Sequence, residues 1–93
     1  MKFRVVISQA ASKDVDRLEA WLVDKNPNAA ARVGEVLRRA INSLENWPER
    51  GRRMRSKTRE LDAKLGGGVY VVRFQVHRDQ VVVTRIFHGR ERR

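Results

Sequence analysis

The chain has 93 residues, a net charge of +10 and no cysteine. Its length predicts a single domain spanning residues 1–93, and the missing cysteines exclude disulfides and thiolate metal sites. Hydrophobic residues make up 41% of the chain, enough for a globular core, but no apolar run is long enough to cross a membrane. Because the first residues mix charged and apolar side chains, they do not resemble a signal peptide, and we expect a cytoplasmic protein.

The first elements predicted along the chain are a strand and an amphipathic helix. Residues 2–7 are rich in β-branched side chains and predict a short strand, after which Ser8 or Ser12 can cap a helix. Apolar residues then recur at intervals of three and four positions, which predicts one buried stripe: Ala11, Val15, Leu18 and Leu22. Charged residues that we place off this stripe, among them Asp14, are expected to face solvent.

A second helix is predicted after a break at Pro27. Proline disfavours helical geometry in the residue before it, and Asn28 can cap the helix that follows. The apolar stripe has the same spacing, and Trp47 with Pro48 is predicted to end the helix. Two amphipathic helices joined by a short turn predict an antiparallel hairpin, whose apolar side needs a sheet to cover it.

The second half of the chain predicts an antiparallel meander of three strands. The strands are predicted near residues 58–61, 69–76 and 81–88, with turns at the glycine run 66–68 and at 77–80. Strands that follow one another through tight turns pair antiparallel. Both faces of residues 81–88 are largely apolar, which indicates a strand inside the sheet. The predicted fold is therefore α+β, with the order β-α-α-β-β-β.

The basic residues are concentrated in the second half. Residues 1–50 hold 9 basic and 7 acidic residues, whereas residues 51–93 hold 12 basic and 4 acidic residues. Such an excess either solubilises the surface or faces an anionic partner, and its concentration in one half favours the partner. The basic half alternates like strands, which argues against a basic helix on a membrane. Arg92 and Arg93 are interpreted as a solvated tail.

Short segments in a fixed order carry a resemblance to a known family. The segments are Ser8 with Ala11 and Asp14, Pro48-Glu49-Arg50-Gly51-Arg52, Arg59-Glu60-Leu61, Tyr70-Val71-Val72-Arg73-Phe74 and Ile86-Phe87-His88-Gly89-Arg90. With them the chain resembles the RelE/ParE toxins of bacterial type II toxin–antitoxin systems along nearly its whole length, and it is closer to the ParE-like branch. The resemblance implies a toxin neutralised by an antitoxin encoded beside it, in a hetero-oligomer.

The family has two known kinds of target. The ParE-like branch poisons DNA gyrase, and the RelE-like branch cuts mRNA in the ribosomal A site, which requires a base, an acid and a cation at the scissile phosphate. The positions of the RelE-like strand lysines are occupied here by Thr58 and Glu60. The position of the following arginine is Val71, with Arg73 two residues on, and His88 matches a terminal histidine of some ribonucleases.

The missing lysines favour a ParE-like toxin that inhibits DNA gyrase by binding, without a cofactor, over the ribosome-dependent mRNA endonuclease. In a ribonuclease, the candidate catalytic residues are Arg59, Arg73, His88 and Arg90. The cations expected to bind the target are Arg52, Arg53, Arg55, Lys57, Arg59, Arg73, Arg85 and Arg90. The residues expected to bind an antitoxin with an acidic toxin-binding segment are Leu18, Trp21, Leu22, Arg73 and Arg85.

Some of these residues also have a purely structural interpretation. A cation inside a strand is costly unless it is paired, so Arg73 and Arg85 are expected to pair with Glu60 or Asp62 if they have no functional role. The two histidines lie at opposite ends of one hairpin and cannot easily share a metal. The two tryptophans are interpreted as core or edge anchors of the helix hairpin, not as a platform for stacked bases. A member of the family that binds its antitoxin without being toxic is a third possibility.

Overall fold

The computed structural model describes residues 2–91. It contains a five-stranded sheet with both helices packed on one face. The strands are β1 (Arg4–Ile7), β2 (Arg52–Arg53), β3 (Thr58–Leu65), β4 (Gly68–His77) and β5 (Gln80–His88). The helices are α1 (Gln9–Lys25) and α2 (Pro27–Ser43), followed by a 3-10 turn at Pro48–Arg50. Within residues 2–91 no helix is both long and apolar enough to cross a membrane. The expected solvated tail, Arg92 and Arg93, lies outside the described residues.

A single residue connects the two helices. Ser8, and not the alternative Ser12, caps α1. Asn26, and not Asn28 as predicted, caps α2, because its side chain accepts a hydrogen bond from the N–H of Ala29. Pro27 is the first helical residue, where its missing N–H costs nothing. The helices therefore form the predicted hairpin with almost no loop between them.

The strand order in the sheet is β1-β5-β4-β3-β2. Strands β3, β4 and β5 form the predicted antiparallel meander, and β3 continues to Leu65, four residues beyond its predicted end at Leu61. The β1 strand pairs parallel with β5, which places β5 inside the sheet, as its two apolar faces predicted. The β2 strand, predicted as loop, pairs with the start of β3.

One irregularity in β5 determines which of its side chains face the helices. Phe74 of β4 lies opposite Val83, but Arg73, its neighbour, lies opposite Arg85. Thr84 is therefore an extra residue in β5, a β-bulge, and its hydroxyl donates a hydrogen bond to the carbonyl of Arg73 at 3.2 Å. Side chains of a strand alternate between its two faces, and the extra residue shifts this alternation by one position. Residues 85–88 therefore lie on the faces opposite to those that they would occupy in a regular strand.

The core lies between the helix hairpin and one face of the sheet. The largest fully buried side chains come from α1, α2, β4, β5 and the residue after α2: Phe74, Leu18, Leu37, Leu44, Ile86, Val33, Val72, Val81 and Val83. Burying a side chain of this size stabilises the fold by about 1.5–3 kcal/mol. The other face of the sheet carries no helix, and Glu60 of β3, Arg73 of β4 and Arg85 of β5 lie there.

Gly51 lets the chain after α2 pass directly over the core. The helix ends at Ser43, and not at Trp47 as predicted, and the 3-10 turn then brings Gly51 against Phe74. A Cβ atom at position 51 would lie 2.8 Å from the Phe74 ring and 3.0 Å from the carbonyl oxygen of Glu60. Neither a fully buried ring nor a strand backbone can move away easily.

We expect Gly51→Ala to lower the free energy of unfolding by about 1–3 kcal/mol, because the added methyl overpacks the core. Gly67→Ala is the matched control, since a Cβ atom there meets nothing within 4 Å. Urea denaturation of both variants measures the difference. Equal midpoints for the two variants would contradict the close packing at Gly51.

Candidate binding surfaces

The face of the sheet without helices carries a row of paired charges. Glu60 is only 2% exposed, and its Oε2 accepts hydrogen bonds from Nε and Nη2 of Arg73 at 3.0 and 2.8 Å. Its Oε1 lies 3.4 Å from Nη2 of Arg52, whose Nη1 lies 2.7 Å from Oδ1 of Asp62. The hydrogen bond to Asp62 raises the pKa of Arg52 above its usual value. Arg73 thus has the structural partner expected from the sequence.

Asp14 continues this row around the edge of the sheet. It was predicted to face solvent, but it is only 4% exposed. Its carboxylate accepts hydrogen bonds from Nε and Nη2 of Arg85 at 2.8 and 3.1 Å, from the backbone N–H of Ile86 at 2.8 Å and from Arg17 at 3.3 Å. Burial raises the pKa of Asp14, but these hydrogen bonds outweigh burial and hold the pKa below its ordinary value.

The burial of Asp14 had a signal in the sequence. Asp14 lies three residues after Ala11 and four before Leu18, so it belongs to the buried stripe of α1 by its spacing. Its charge led to its placement on the solvent face. Arg85, expected to pair with a carboxylate of β3 if it had no functional role, pairs with Asp14 instead.

Phe87 lies between the two arginines of the row. Arg73 and Arg85 are opposite each other on β4 and β5, and their guanidinium carbons lie 5.0 and 5.2 Å from the centre of the Phe87 ring. These distances allow a cation–π contact with each arginine. The side chains of Arg73 and Arg85 are still 33% and 46% exposed, so both can contact a partner while their carboxylates hold them in place.

Beyond the end of β1, side chains of α1 and of its cap Ser8 form hydrogen bonds with backbone groups of β5. The β1 strand pairs with only the first four residues of β5. Beyond it, Ser8 donates to the carbonyl of Thr84 at 3.0 Å. Asp14 accepts from the N–H of Ile86, and Arg17 donates to the carbonyl of the same residue at 3.1 Å. This stretch of the edge is therefore closed to pairing with a strand of another chain.

A groove of about 980 Å³ opens at one end of the sheet, between α1, the β3–β4 turn and the residues after β5. Leu18 and Leu22 form part of its floor, and Trp21, 42% exposed, forms part of its wall, as an edge anchor. Lys25 lies over the Trp21 ring at 4.8 Å. Trp47, interpreted from the sequence in the same way, is 66% exposed and lies outside the groove, so it is not a core residue.

His88 is part of an aromatic cluster in this groove. Its ring centre lies 5.1 Å from that of Trp21 and 5.1 Å from that of Tyr70, which it meets edge to face. Its Nδ1 accepts a hydrogen bond from the N–H of Arg90 at 3.2 Å, so a neutral His88 carries its proton on Nε2. Burial raises the pKa of the Tyr70 hydroxyl above its ordinary value.

The candidate ribonuclease residues lie apart. His88 is opposite Tyr70 on the helix side of the sheet, whereas Arg73 lies on the helix-free side, in the row of paired charges. Arg59 donates two hydrogen bonds to backbone carbonyls of the 3-10 turn and of Gly51. Within residues 2–91 no group of histidines and carboxylates could hold a metal ion.

The remaining cations of the expected target-binding set project from the hairpin of β2 and β3. Arg53, Arg55 and Lys57 are exposed, and the structure of residues 2–91 gives them no hydrogen bond or ion pair from their side chains. Arg90 is exposed beyond β5, at the groove. The expected target-binding set is therefore divided between the row of paired charges, the hairpin and the groove.

Comparison with known proteins places the chain among toxins. Residues 5–93 match a family model described as the ParE toxin of the type II toxin–antitoxin system, parDE. The chain is 44% identical to Toxin RelE1 of Caulobacter vibrioides over 93 residues, which is 100% of both chains. It is 34% identical to Toxin RelE3 of the same organism, over 96% of this chain and 97% of that toxin.

Two solved structures are similar in fold. One is from the chromosomal ParDE system of P. aeruginosa, with a TM-score of 0.80 at 16% identity, over 94% of this chain and 96% of that chain. The other is from the toxin–antitoxin complex RelBE2 of Mycobacterium tuberculosis, with a TM-score of 0.59 at 21% identity, over 95% of this chain and 99% of that chain. They confirm the predicted α+β fold with an N-terminal strand, a helix hairpin and a three-stranded meander.

Proposed function

Because the chain belongs to the ParE toxin family of type II toxin–antitoxin systems, we propose that it arrests growth by binding DNA gyrase and that a cognate antitoxin neutralises it. The separation of the ribonuclease candidates carries the proposal. Cleavage needs an acid, a base and a cation around one phosphate, and Arg73 and His88 lie on opposite faces of the sheet. Side chains on opposite faces cannot meet at one phosphate, which supports a toxin that acts by binding.

The alternative function is ribosome-dependent cleavage of mRNA. It is favoured by the names of two relatives, Toxin RelE1 and Toxin RelE3. In this function His88 would act through its Nε2, since its Nδ1 accepts a hydrogen bond from the backbone.

Induced expression in bacteria distinguishes the two functions. Gyrase poisoning predicts induction of the SOS response and filamentation, without cuts in mRNA at the ribosomal A site. Translation arrest with such cuts, lost in His88→Ala, would overturn the proposal in favour of the alternative. Continued growth would support the third possibility, a family member that is not toxic.

The groove is our proposed binding site for the antitoxin. Its floor and wall are apolar at Leu18, Leu22 and Trp21, and Lys25 and Arg90 lie among the residues around it. An amphipathic segment with acidic residues complements such a site, since its apolar side chains cover the floor and its carboxylates meet the cations. To contact Arg73 and Arg85 as well, the segment has to continue around the sheet to its helix-free face.

We expect Trp21→Ala to weaken binding of the antitoxin by about 30-fold, which corresponds to about 2 kcal/mol for an aromatic anchor. Trp47→Ala is the matched control, because Trp47 is exposed outside the groove and its loss should leave affinity unchanged. Isothermal titration with the purified antitoxin measures both variants. If Trp47→Ala weakens binding as much as Trp21→Ala, the antitoxin does not bind in the groove.

A further inference from the structure

The cations of the basic half fall into two groups with different electrostatic surroundings. Arg52, Arg73 and Arg85 are each bound to a carboxylate in the row of paired charges. Arg53 and Lys57, in the hairpin of β2 and β3, have no carboxylate partner within residues 2–91. Segment 50–59 contains six basic residues and no acidic one. The available positive charge of the target-binding set is therefore concentrated in this hairpin.

The backbone of the hairpin holds these cations in defined positions. The N–H of Met54 donates to the carbonyl of Thr58 at 2.8 Å, and the N–H of Thr58 donates to the carbonyl of Arg55 at 3.2 Å. Ser56 has a φ of 59°, in the left-handed region, which turns the chain sharply. Arg53 lies directly opposite Arg59 in the pairing of β2 with β3.

A small pocket of about 190 Å³ opens beside this turn. Its lining contains three cations, two hydroxyl residues and no carboxylate: Arg53, Lys57, Arg59, Ser56, Thr58 and Val76. Arg59 is fixed by two hydrogen bonds from its Nη1 to backbone carbonyls, at 3.2 and 3.0 Å. The side chain of Thr58 lies on the other face of β3 from that of Arg59, and its hydroxyl accepts a hydrogen bond there from Gln75 at 3.4 Å.

Like charges directly opposite each other destabilise a pair of strands, and a bound anion relieves this repulsion. Arg53 and Arg59 are such a pair, and Lys57 and Ser56 line the pocket beside them. Several cationic donors with hydroxyl donors are the groups that bind a phosphate oxygen. An arginine already bound to a buried carboxylate, such as Arg73, gains less from a phosphate.

We propose that the hairpin pocket binds a backbone phosphate of duplex DNA and that the toxin contacts DNA through this hairpin. The inference rests on the proposed function, in which the target is gyrase engaged with DNA. It assigns the DNA contact to Arg53, Lys57 and Arg59 and leaves the row of paired charges to protein partners. It also predicts that the toxin binds DNA weakly and without sequence preference when gyrase is absent.

The test is the salt dependence of DNA binding by the whole chain. Fluorescence anisotropy gives the dissociation constant for a labelled DNA duplex at several salt concentrations. The duplex has about 20 base pairs, which make two helical turns. The test variant is Arg53→Gln with Lys57→Gln, and Arg59 is left in place because it anchors the 3-10 turn. The control is Arg32→Gln with Arg38→Gln, which removes the same charge from exposed positions of α2.

We expect the test variant to bind DNA about tenfold more weakly than the unaltered chain. We also expect its association constant to fall less steeply with salt, with the slope of log K against log salt less negative by about 0.9 for each phosphate contact removed. The control should keep most of the affinity and slope.

Equal losses in both variants would mean that binding follows net charge alone, and they would overturn the inference. Tighter binding of an RNA duplex of the same sequence, or no binding to DNA at low salt, would also overturn it. Because gyrase is absent from the assay, these outcomes are independent of gyrase poisoning.

Discussion

Replacing Asp14 by alanine lowers the free energy of unfolding by about 2–4 kcal/mol, because it removes the shared hydrogen-bond partner of three residues, Arg17, Arg85 and Ile86. The hydrogen bond of the Ile86 N–H to Asp14 is buried, so leaving this donor without its acceptor is costly. Arg85 keeps part of its solvation because it is half-exposed, which limits the cost. The loss also weakens the contact between α1 and β5, which Asp14 and Arg17 both make at Ile86.

Urea denaturation measures this effect against two controls. Asp16→Ala makes the same change two residues away, at an exposed position of α1, and should cost less than about 0.5 kcal/mol. Asp14→Asn should fall between the two alanine variants, because the amide oxygen can still accept from the N–H of Ile86 but carries no charge for the arginines. If Asp14→Ala were as mild as Asp16→Ala, the buried acid would not join α1 to β5.

The contribution of Asp14 also depends on pH. Its pKa in the folded chain lies below its ordinary value, so the folded state binds this proton less readily than the unfolded state. The stabilisation is therefore complete above the unfolded pKa, about 3.9, and is lost as the pH falls through the folded pKa. In urea titrations at several pH values, the stability difference between the unaltered chain and Asp14→Asn should shrink below about pH 4. A constant difference down to pH 2 would contradict this account.

The second large effect is expected at Glu60, the other buried carboxylate. Glu60→Ala should lower the free energy of unfolding by about 2–3 kcal/mol, because Arg73 loses both hydrogen bonds to Oε2 on a sheet face where Phe87 limits its movement. Arg52 loses one contact but keeps Asp62. Asp62→Ala is the control, since that carboxylate is 41% exposed and its surface ion pair should contribute about 0–1 kcal/mol.

A double-mutant cycle separates the ion pair from the packing. Arg73→Ala removes two hydrogen bonds from the buried carboxylate, and Glu60→Ala leaves the guanidinium without this acceptor. Replacing both residues removes both costs, so the double variant should lose less stability than the sum of the single variants. Losses that simply add would mean that Arg73 and Glu60 do not stabilise the sheet through each other.

The fold could be predicted well wherever neighbouring residues encode it. Ser8 and the stripe from Ala11 to Leu22 define the first helix, and β4 follows from the alternation of its own residues. The pairing of β1 with β5 could not be predicted. Arg4 and Gln80 lie far apart in the chain, and the local pattern of one strand does not indicate which strand it pairs with. The two-residue β2 strand was missed because two residues are too few to show a repeated alternation of side chains.

The faces of the candidate site were harder to predict, and the bulge at Thr84 explains why. Counting in twos from Val81 and Val83 places Arg85 on the helix side and His88 on the open side. The extra residue reverses this, so His88 lies opposite Tyr70 beneath α1 and Arg85 lies opposite Arg73. Whether His88 and Arg73 could meet at one phosphate therefore depended on a local irregularity that composition and spacing do not reveal.

The most direct test of the central claim, that this toxin acts on gyrase by binding, is a cleavage-complex assay. Purified gyrase, supercoiled plasmid and the purified chain are incubated, and linear DNA is measured after the protein is denatured. We predict linear DNA that increases with the concentration of the chain, is abolished by the antitoxin and is unchanged in His88→Ala. An unchanged level of cleavage complexes at all concentrations would contradict the account.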